Sequence, residues 1–259
     1  MRFFRDIKKY HRYIWYSTKS ELKNEVAGSY LNWLWWFLDP IFFMLVYTFI
    51  AQIVFKSRLD YFPVFVFIGL TIWNFFNKVV SSSVKVVKAN KGIVSKIYIP
   101  KHVLLLIKMG VNMVKMLISF SLVIVLMIIF GVPWSLQILH FLPVLLVLVV
   151  VTFAASSILL HLGVFIEDMS NIIQVLLRFT FYMSGVFYSI TIQLPKTYGR
   201  LLLACNPLAA LIDAFRRIML NGTPPDYRIL GAWLLIGLLV SALGVHIIYR
   251  HENSYAKII

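Results

Sequence analysis

Apolar residues along this chain come in long blocks, and the breaks between them are short, charged, or marked by proline and glycine. The blocks cover residues 34–55, 62–80, 103–130, 141–166, 171–190 and 229–249, each near or above the ~20 residues that a helix needs to cross ~30 Å of hydrocarbon. They run on without strict alternation, so they predict helical spans and not the strands of a membrane barrel. The expected fold is an all-α integral membrane protein, with six transmembrane helices in one domain over residues 34–259.

Ahead of the first block the period changes. On a wheel of 100° per residue, Phe3, Ile7, Tyr10, Ile14 and Leu22 fall on one side, and Arg5, Lys8, Arg12, Lys19 and Lys23 on the other. Residues 1–33 are therefore predicted to form an amphipathic helix on the inner leaflet, with its bases toward lipid phosphates. The first block opens with Leu34 to Leu38, which with Trp33, Trp35 and Trp36 reads as an aromatic interfacial belt, and Asp39-Pro40 then marks the start of the span. Proline suits a first helical turn, and an aspartate before it caps free amides. The alternative role for Asp39 is as partner to a basic residue in a pathway.

Two connections are too apolar to be plain loops. Residues 84–100, VKVVKANKGIVSKIYIP, predict a short amphipathic helix bearing Ile93, Val94 and Ile97, separated from the third span by Pro100. Residues 192–222 contain two short helical blocks split at Asn206-Pro207, with a stop at Gly222 to Pro225. That pattern predicts a reentrant hairpin in the outer leaflet, since irregular backbone at that depth needs shelter from lipid.

Composition agrees with the blocks: 61% of the 259 residues are hydrophobic, 16% are aromatic, and mean hydropathy is +0.85. The net charge of +15 would point to nucleic acid in a soluble protein, but anionic lipid and basic cytoplasmic loops account for it here. With both termini inside, fourteen Lys and Arg fall on the cytoplasmic side and seven outside, counted from the connections. The stretch MRFFRDIKKYHRY lacks the apolar run and cleavage site of a signal peptide. Cys205, the single cysteine, excludes an intrachain disulfide and reads as a small buried hydrophobe.

Polar residues inside the spans need a reason, because an ionised group at mid-bilayer costs ~2.5–3.5 kcal/mol or more. In the fifth block Asn171, Gln174, Arg178, Tyr182 and Gly185 make one stripe that faces either another helix or an aqueous path. Lys101, Lys108, Asn112, Lys115 and Ser119 share a face of the third block, where Lys101 and Lys108 read as snorkelling toward the cytoplasm. Thr71, Asn74, Lys78 and Ser81 repeat the device in the second block. Asn171, Gln174, Arg178, Tyr182, Lys115 and Asn74 are thus the candidates for a translocation path. No phosphate-binding G-x-x-x-x-G-K-[ST] loop and no H-E-x-x-H occurs, so neither nucleotide nor metal is expected on this chain. His161 and Asp168 are spaced to share a helix face, two turns apart.

In order, Trp35-Trp36 with Asp39-Pro40, the run from Asn90 through Lys96 to Pro100, Asp168, Asn206-Pro207, and Phe215-Arg216 through Gly222 resemble the ABC-2 type permeases. The likeness is to the branch that exports lipid-linked O-antigen polysaccharides and wall teichoic acids. Glu167-Asp168 stands where that family often has Arg-Asp, and Ser184-Gly185 where it often has Ser-Pro. The resemblance implies a homodimer of permeases in the bacterial inner membrane, joined to two separate ATPase subunits that bind the ATP and Mg. It implies a coupling helix carrying Asn90, Ile93, Val94, Lys96, Ile97 and Pro100, a gate helix carrying Phe3, Ile7, Tyr10, Arg12 and Ile14, and a lipid-linked glycan as substrate. Tyr182, Phe187 and Tyr188 would offer flat contacts to sugar rings. An exporter of a drug or small lipid, an integral-membrane enzyme acting on a lipid headgroup, and a membrane scaffold are the other classes the residues leave open.

Overall fold

The computed structural model describes residues 2–27, 32–50 and 59–258. The end of the predicted first span, with Lys56 and Arg58, lies outside the described residues. Among those described, every regular element is helical: α1 (Arg2–Ala27), α2 (Asn32–Phe49), α3 (Phe62–Ala89), α4 (Lys91–Val94), α5 (Lys101–Ile129), α6 (Phe141–Phe165), α7 (Met169–Met183), α8 (Ile190–Gln193), α9 (Lys196–Cys205), α10 (Pro207–Met219), α11 (Tyr227–Arg250) and α12 (Glu252–Ile258). A 3-10 turn, Leu136–His140, leads into α6.

Four of these units are long and apolar enough to cross a membrane: α3, α5, the run Leu136–Phe165, and α11. The apolar part of α2, Leu34–Phe49, is shorter. The most apolar stretch of α3 is 78% buried within the protein and that of α11 only 17%, which places α3 at the centre and α11 at the rim. The helices α5 and α6 flank α3; α2, α7 and α10 close around it, α11 lies along α6, and α1 along α5. The outer faces of α5, α7 and α11 leave Ile128, Ile129, Val175, Phe179, Leu239 and Leu243 exposed. A face of that kind is an aggregation liability in water and an ordinary surface in lipid.

Small residues set the closest contacts between helices. On α6, Gly163 lies so near the Val84 carbonyl of α3 that a Cβ there would collide with backbone. On α11, Gly237 faces Val150 and Val151, and Gly244 seven residues later faces Ser157. Helices that gain nothing from burying hydrocarbon against hydrocarbon associate by such close packing.

Two predicted boundaries are corrected. The second span does not stop at residue 80: α3 continues to Ala89 because Val84, Val86 and Val87 are buried against the bundle. Residues 84–89 thus belong to α3, and the separate helix in the 84–100 connection is only α4. The fifth block, predicted over 171–190, is helical only to Met183, where Ser184 and Gly185 turn the chain. Gly185 takes φ +67°, a left-handed conformation that costs a residue without a Cβ little.

Candidate functional site

The polar face of α3 supplies one wall of a groove. Asn74, Asn77, Lys78, Ser81, Ser82 and Lys85 line it, and buried valines back them on the opposite face of the helix. A chamber of about 370 Å³ lies between α2, α3 and α5, bordered by Trp35, Trp36, Asp39, Asn74, Lys78, Asn112, Lys115 and Ser119. It meets a wider groove of about 890 Å³ between α2, α3 and α7, lined by Tyr47, Lys78, Lys85, Gln174, Arg178 and Tyr182. Phe43, Trp73, Asn77, Lys78 and Phe181 border both. The stripes predicted separately on three blocks therefore converge on one cationic surface, with Lys78 at the junction. Asn171 is exposed at the start of α7, beyond the groove lining, and Gly185 is buried in the turn that ends it.

The aromatic candidates divide. Tyr182 stays exposed in the groove at 67%. Phe187 stacks on Tyr47 with ring centroids 3.4 Å apart, and Tyr188 donates its hydroxyl to the Tyr182 carbonyl at 3.0 Å. These two hold the turn after α7.

The leader enters the site through acids rather than bases. Glu21 pairs with Lys108 at 2.7 Å, and Glu25 pairs with Lys115, which also lies 5.2 Å from the Trp36 ring. Thr18 is buried where α1 crosses Gly110 of α5. The basic residues Arg5, Lys8, Arg12, Lys19 and Lys23 all face outward. Two glutamates one helical turn apart in a basic leader, opposite lysines two turns apart on α5, are the signal that a reading of the bases alone passes over.

Several expectations are corrected here. Asp39 is not a helix start, because α2 begins at Asn32 and carries Pro40 in its interior, joining the aromatic belt and the span in one helix. An internal proline costs about 3 kcal/mol through its missing amide and its clash with the preceding turn. Asp39 is exposed to the chamber and lies within electrostatic reach of Lys78, the alternative role. Lys101 does not snorkel outward: it is 3% exposed and donates to the Ile99 carbonyl at 3.3 Å. Lys108 is held by Glu21. Cys205 is exposed at the end of α9, not buried. The chain leaves α6 at Phe165, so His161 and Asp168 share no helix; His161 bonds the Tyr255 hydroxyl at 2.8 Å instead.

At the end of the bundle opposite the turn after α7, the leader, the α4 connection and the C-terminal helix interlock. Arg2 bonds Glu252 at 3.0 Å and also donates to the Tyr98 hydroxyl, while Tyr249 donates to Asp6 at 2.6 Å. Burial and a hydrogen bond to Glu252 push Tyr98 up to about 12, and burial with the Glu252 charge raises Tyr255. Phe3 packs on the His102 ring at 5.1 Å, Tyr10 reaches the Tyr98 carbonyl at 3.4 Å, and Ile7 and Ile14 are half-buried. Of the α4 segment, Val94 and Pro100 are buried and the Asn90 amide donates to Val86 at 2.7 Å. Ile93, Lys96 and Ile97 point away from the protein, Ile97 at 61% exposure.

Sequence reasoning also missed the role of Arg216, noted there only as part of a short pattern. It is fully buried on α10 and donates to the carbonyls of Phe65 (3.1 Å), Gly185 (2.7 Å) and Val186 (2.6 Å). Its guanidinium also stacks on Phe65. Nothing in local spacing marks such a residue, because its three acceptors lie 30 to 151 positions away.

Apolar helices long enough to span a bilayer, gathered round a groove lined with cations and amides, define a multi-pass membrane protein of the transport class. The chain belongs to the ABC-2 type transporter family, whose pattern matches residues 12–220. It is 26% identical over 257 residues, 99% of each chain, to the O-antigen export system permease protein RfbA of Myxococcus xanthus. A protein of the same name from Klebsiella pneumoniae is 25% identical over 243 residues, 93% of each chain.

Proposed function

We propose that this chain is the permease subunit of an ATP-driven exporter that moves a polyprenyl-diphosphate-linked polysaccharide of the O-antigen type across the bacterial cytoplasmic membrane. One observation carries the reading: a cationic, amide-lined groove in an ABC-2 family member whose near full-length relatives are O-antigen export permeases. Lys78, Lys85, Lys115 and Arg178 suit a diphosphate, since charge-assisted hydrogen bonds to phosphate are the strong kind. Tyr182 suits sugar faces, and the groove's open side suits a polyprenyl tail that stays in lipid.

In this reading two copies face each other across the groove, and each contributes six spans, the first built on α2 and the fifth on α7. The segment α8 to α10 is a reentrant hairpin shaping the outer exit. Both termini and the α4 segment lie in the cytoplasm, in keeping with the fourteen-to-seven charge asymmetry. ATP and Mg bind two separate ATPase subunits, and Ile93, Lys96 and Ile97 dock against them. The α1 helix lies beside the cytoplasmic entrance as a gate.

The test is export in inverted membrane vesicles from cells that express the chain with its ATPase and make the lipid-linked glycan. ATP-dependent protection of the glycan from an added glycosidase is expected. No protection, or no ATPase associating with the purified chain, overturns the assignment.

A further inference from the structure

The helix α9 is turned inside out. Lys196, Gly199, Arg200 and Leu203 follow the i, i+3, i+4, i+7 spacing of one helix face, and Gly199 and Leu203 are the residues of α9 that the protein buries. Its cations therefore share the inward face. The outward face shows Tyr198 and Leu201, 66% and 60% exposed. That is the reverse of a helix on a water-soluble surface; at a lipid boundary it turns apolar groups to the acyl chains and charge to the protein.

What α9 faces is a cleft of about 320 Å³ between α8, α9, α10 and the start of α11, within the size range of ligand pockets. Ile190, Leu194, Leu203, Ala210, Ala214 and Ile229 make its apolar part. Lys196, Arg200, Arg217, Asp213 and Asp226 supply its charge. A Cβ at Gly199 would sit 3.0 Å from the Ile190 carbonyl, so α9 is seated closely on α8 and its inward face is fixed over the cleft.

Two of the five charges satisfy each other, because Arg217 pairs with Asp213 at 2.7 Å. Asp226 caps α11 with Oδ1, which accepts from the Arg228 and Ile229 amides at 3.0 and 3.4 Å, and its Oδ2 stays open. The side chains of Lys196 and Arg200 have no ion-pair or hydrogen-bond partner among the described residues. What remains unmatched is two cations and one carboxylate oxygen, the complement of a ligand that carries both a phosphate and an ammonium. We propose that this cleft binds the headgroup of an ethanolamine phospholipid, its phosphate on Lys196 and Arg200 and its ammonium donating to Asp226.

The place of the cleft suits that ligand. It lies where the span α11 begins, at Tyr227, and exposed Tyr198 and Tyr227 are the aromatic type that sits at headgroup level. An anionic headgroup would bring a phosphate for the cations and nothing for Asp226. A choline headgroup has no N–H to donate. Free phosphate would leave Tyr198 and Leu201 without the acyl chains they face. None of the cleft residues borders the cationic groove, so the site stands apart from the export reading. A lipid held in this way ties α9 to the first turn of α11.

The experiment titrates the delipidated full-length chain in detergent with dioleoyl phosphatidylethanolamine, the matching choline and glycerol lipids, and inorganic phosphate. Bound lipid is counted by native mass spectrometry, and the thermal midpoint is followed alongside. The ethanolamine lipid should bind about tenfold tighter than the choline and glycerol lipids, the effect of one charge-assisted hydrogen bond, and should raise the midpoint. Lys196→Gln with Arg200→Gln should weaken it about tenfold and leave the lipid-free midpoint unchanged, since both side chains are exposed. Arg200→Lys should keep the binding. Asp226→Asn still caps α11, yet should erase the preference for ethanolamine over choline. Equal binding of the three lipids, a preference that survives in the double variant or in Asp226→Asn, or stabilisation by inorganic phosphate alone would each overturn the proposal. Loss of glycan export with this lipid selectivity intact would instead refute the export reading, because neither readout depends on transport.

Discussion

The Arg216 guanidinium donates to the Gly185 carbonyl at 2.7 Å, joining α10 to the glycine turn that ends α7. The same group holds Val186 and Phe65, so one side chain ties the start of α3, the end of α7 and the middle of α10. Arg216→Met leaves the Gly185 and Val186 carbonyls without the donor they have here and removes a third bond to Phe65, and is expected to destabilise the protein by about 3–5 kcal/mol, the usual penalty for breaking a buried charged network. Arg216→Lys should recover only part of this, because an ammonium lacks the planar fork and the stack on Phe65. Thermal unfolding in detergent, followed by size-exclusion recovery, reads both. A midpoint for Arg216→Met within about 2 °C of the parent would refute the tie.

The close helix contacts predict a ranking. A methyl at Gly163 would strike the Val84 backbone carbonyl, which cannot rotate away, so Gly163→Ala should cost about 2 kcal/mol or more by driving α3 and α6 apart. At Gly244 the obstacles are the Ser157 hydroxyl, which can turn, and its Cβ, which cannot, so a loss between those at Gly163 and Gly231 is expected. Gly231 has nothing within 4 Å of its missing Cβ, so Gly231→Ala should gain about 0.5–1 kcal/mol from helix propensity. The same unfolding assay orders the three, and equal effects would contradict the packing.

The spans that could be read from the chain are the ones whose apolar runs end in strong breakers. For α5, α6 and α11 the predicted limits of 103–130, 141–166 and 229–249 fall within two residues of the helices observed. Missed features depended on distant partners. Residues 84–89 look like a separate amphipathic piece until the bundle buries Val84, Val86 and Val87. Asp39-Pro40 has the local chemistry of a helix start, yet the Trp-rich turn before it is helical too, in a wall of the chamber. Period and spacing report which residues share a face; they do not report which face of another helix it meets. That is why all three polar stripes were visible while their convergence at Lys78 was not.

The exposed α4 segment predicts a separable docking defect. Ile93, Lys96 and Ile97 point away from the protein, while Val94 and Pro100 hold the segment in place. Lys96→Glu combined with Ile93→Asp should therefore lower recovery of the ATPase with the purified permease about tenfold, by placing negative charge in a desolvated contact. The thermal midpoint of the permease alone should stay unchanged. Val94→Asp should do the reverse, lowering stability through a buried carboxylate. Normal copurification by the double variant would remove this surface as the docking site.

Groove residues should separate transport from folding in the same way. Arg178 is exposed on α7 beside Lys78 and Lys85, so Arg178→Ala removes no buried contact and should leave expression and the thermal midpoint unchanged. It should lower ATP-dependent export about tenfold if the groove binds a diphosphate through charge-assisted bonds. Asp39→Ala is the sharper case, because its two readings diverge. A helix cap lost there would cost about 1 kcal/mol of stability, whereas a carboxylate facing Lys78 in an open chamber costs almost nothing to remove. Deleting Asp39 leaves the chamber more positive, so binding of farnesyl diphosphate should tighten about two- to threefold and weaken again as salt is raised. A thermal loss with unchanged ligand affinity would refute the chamber role of Asp39.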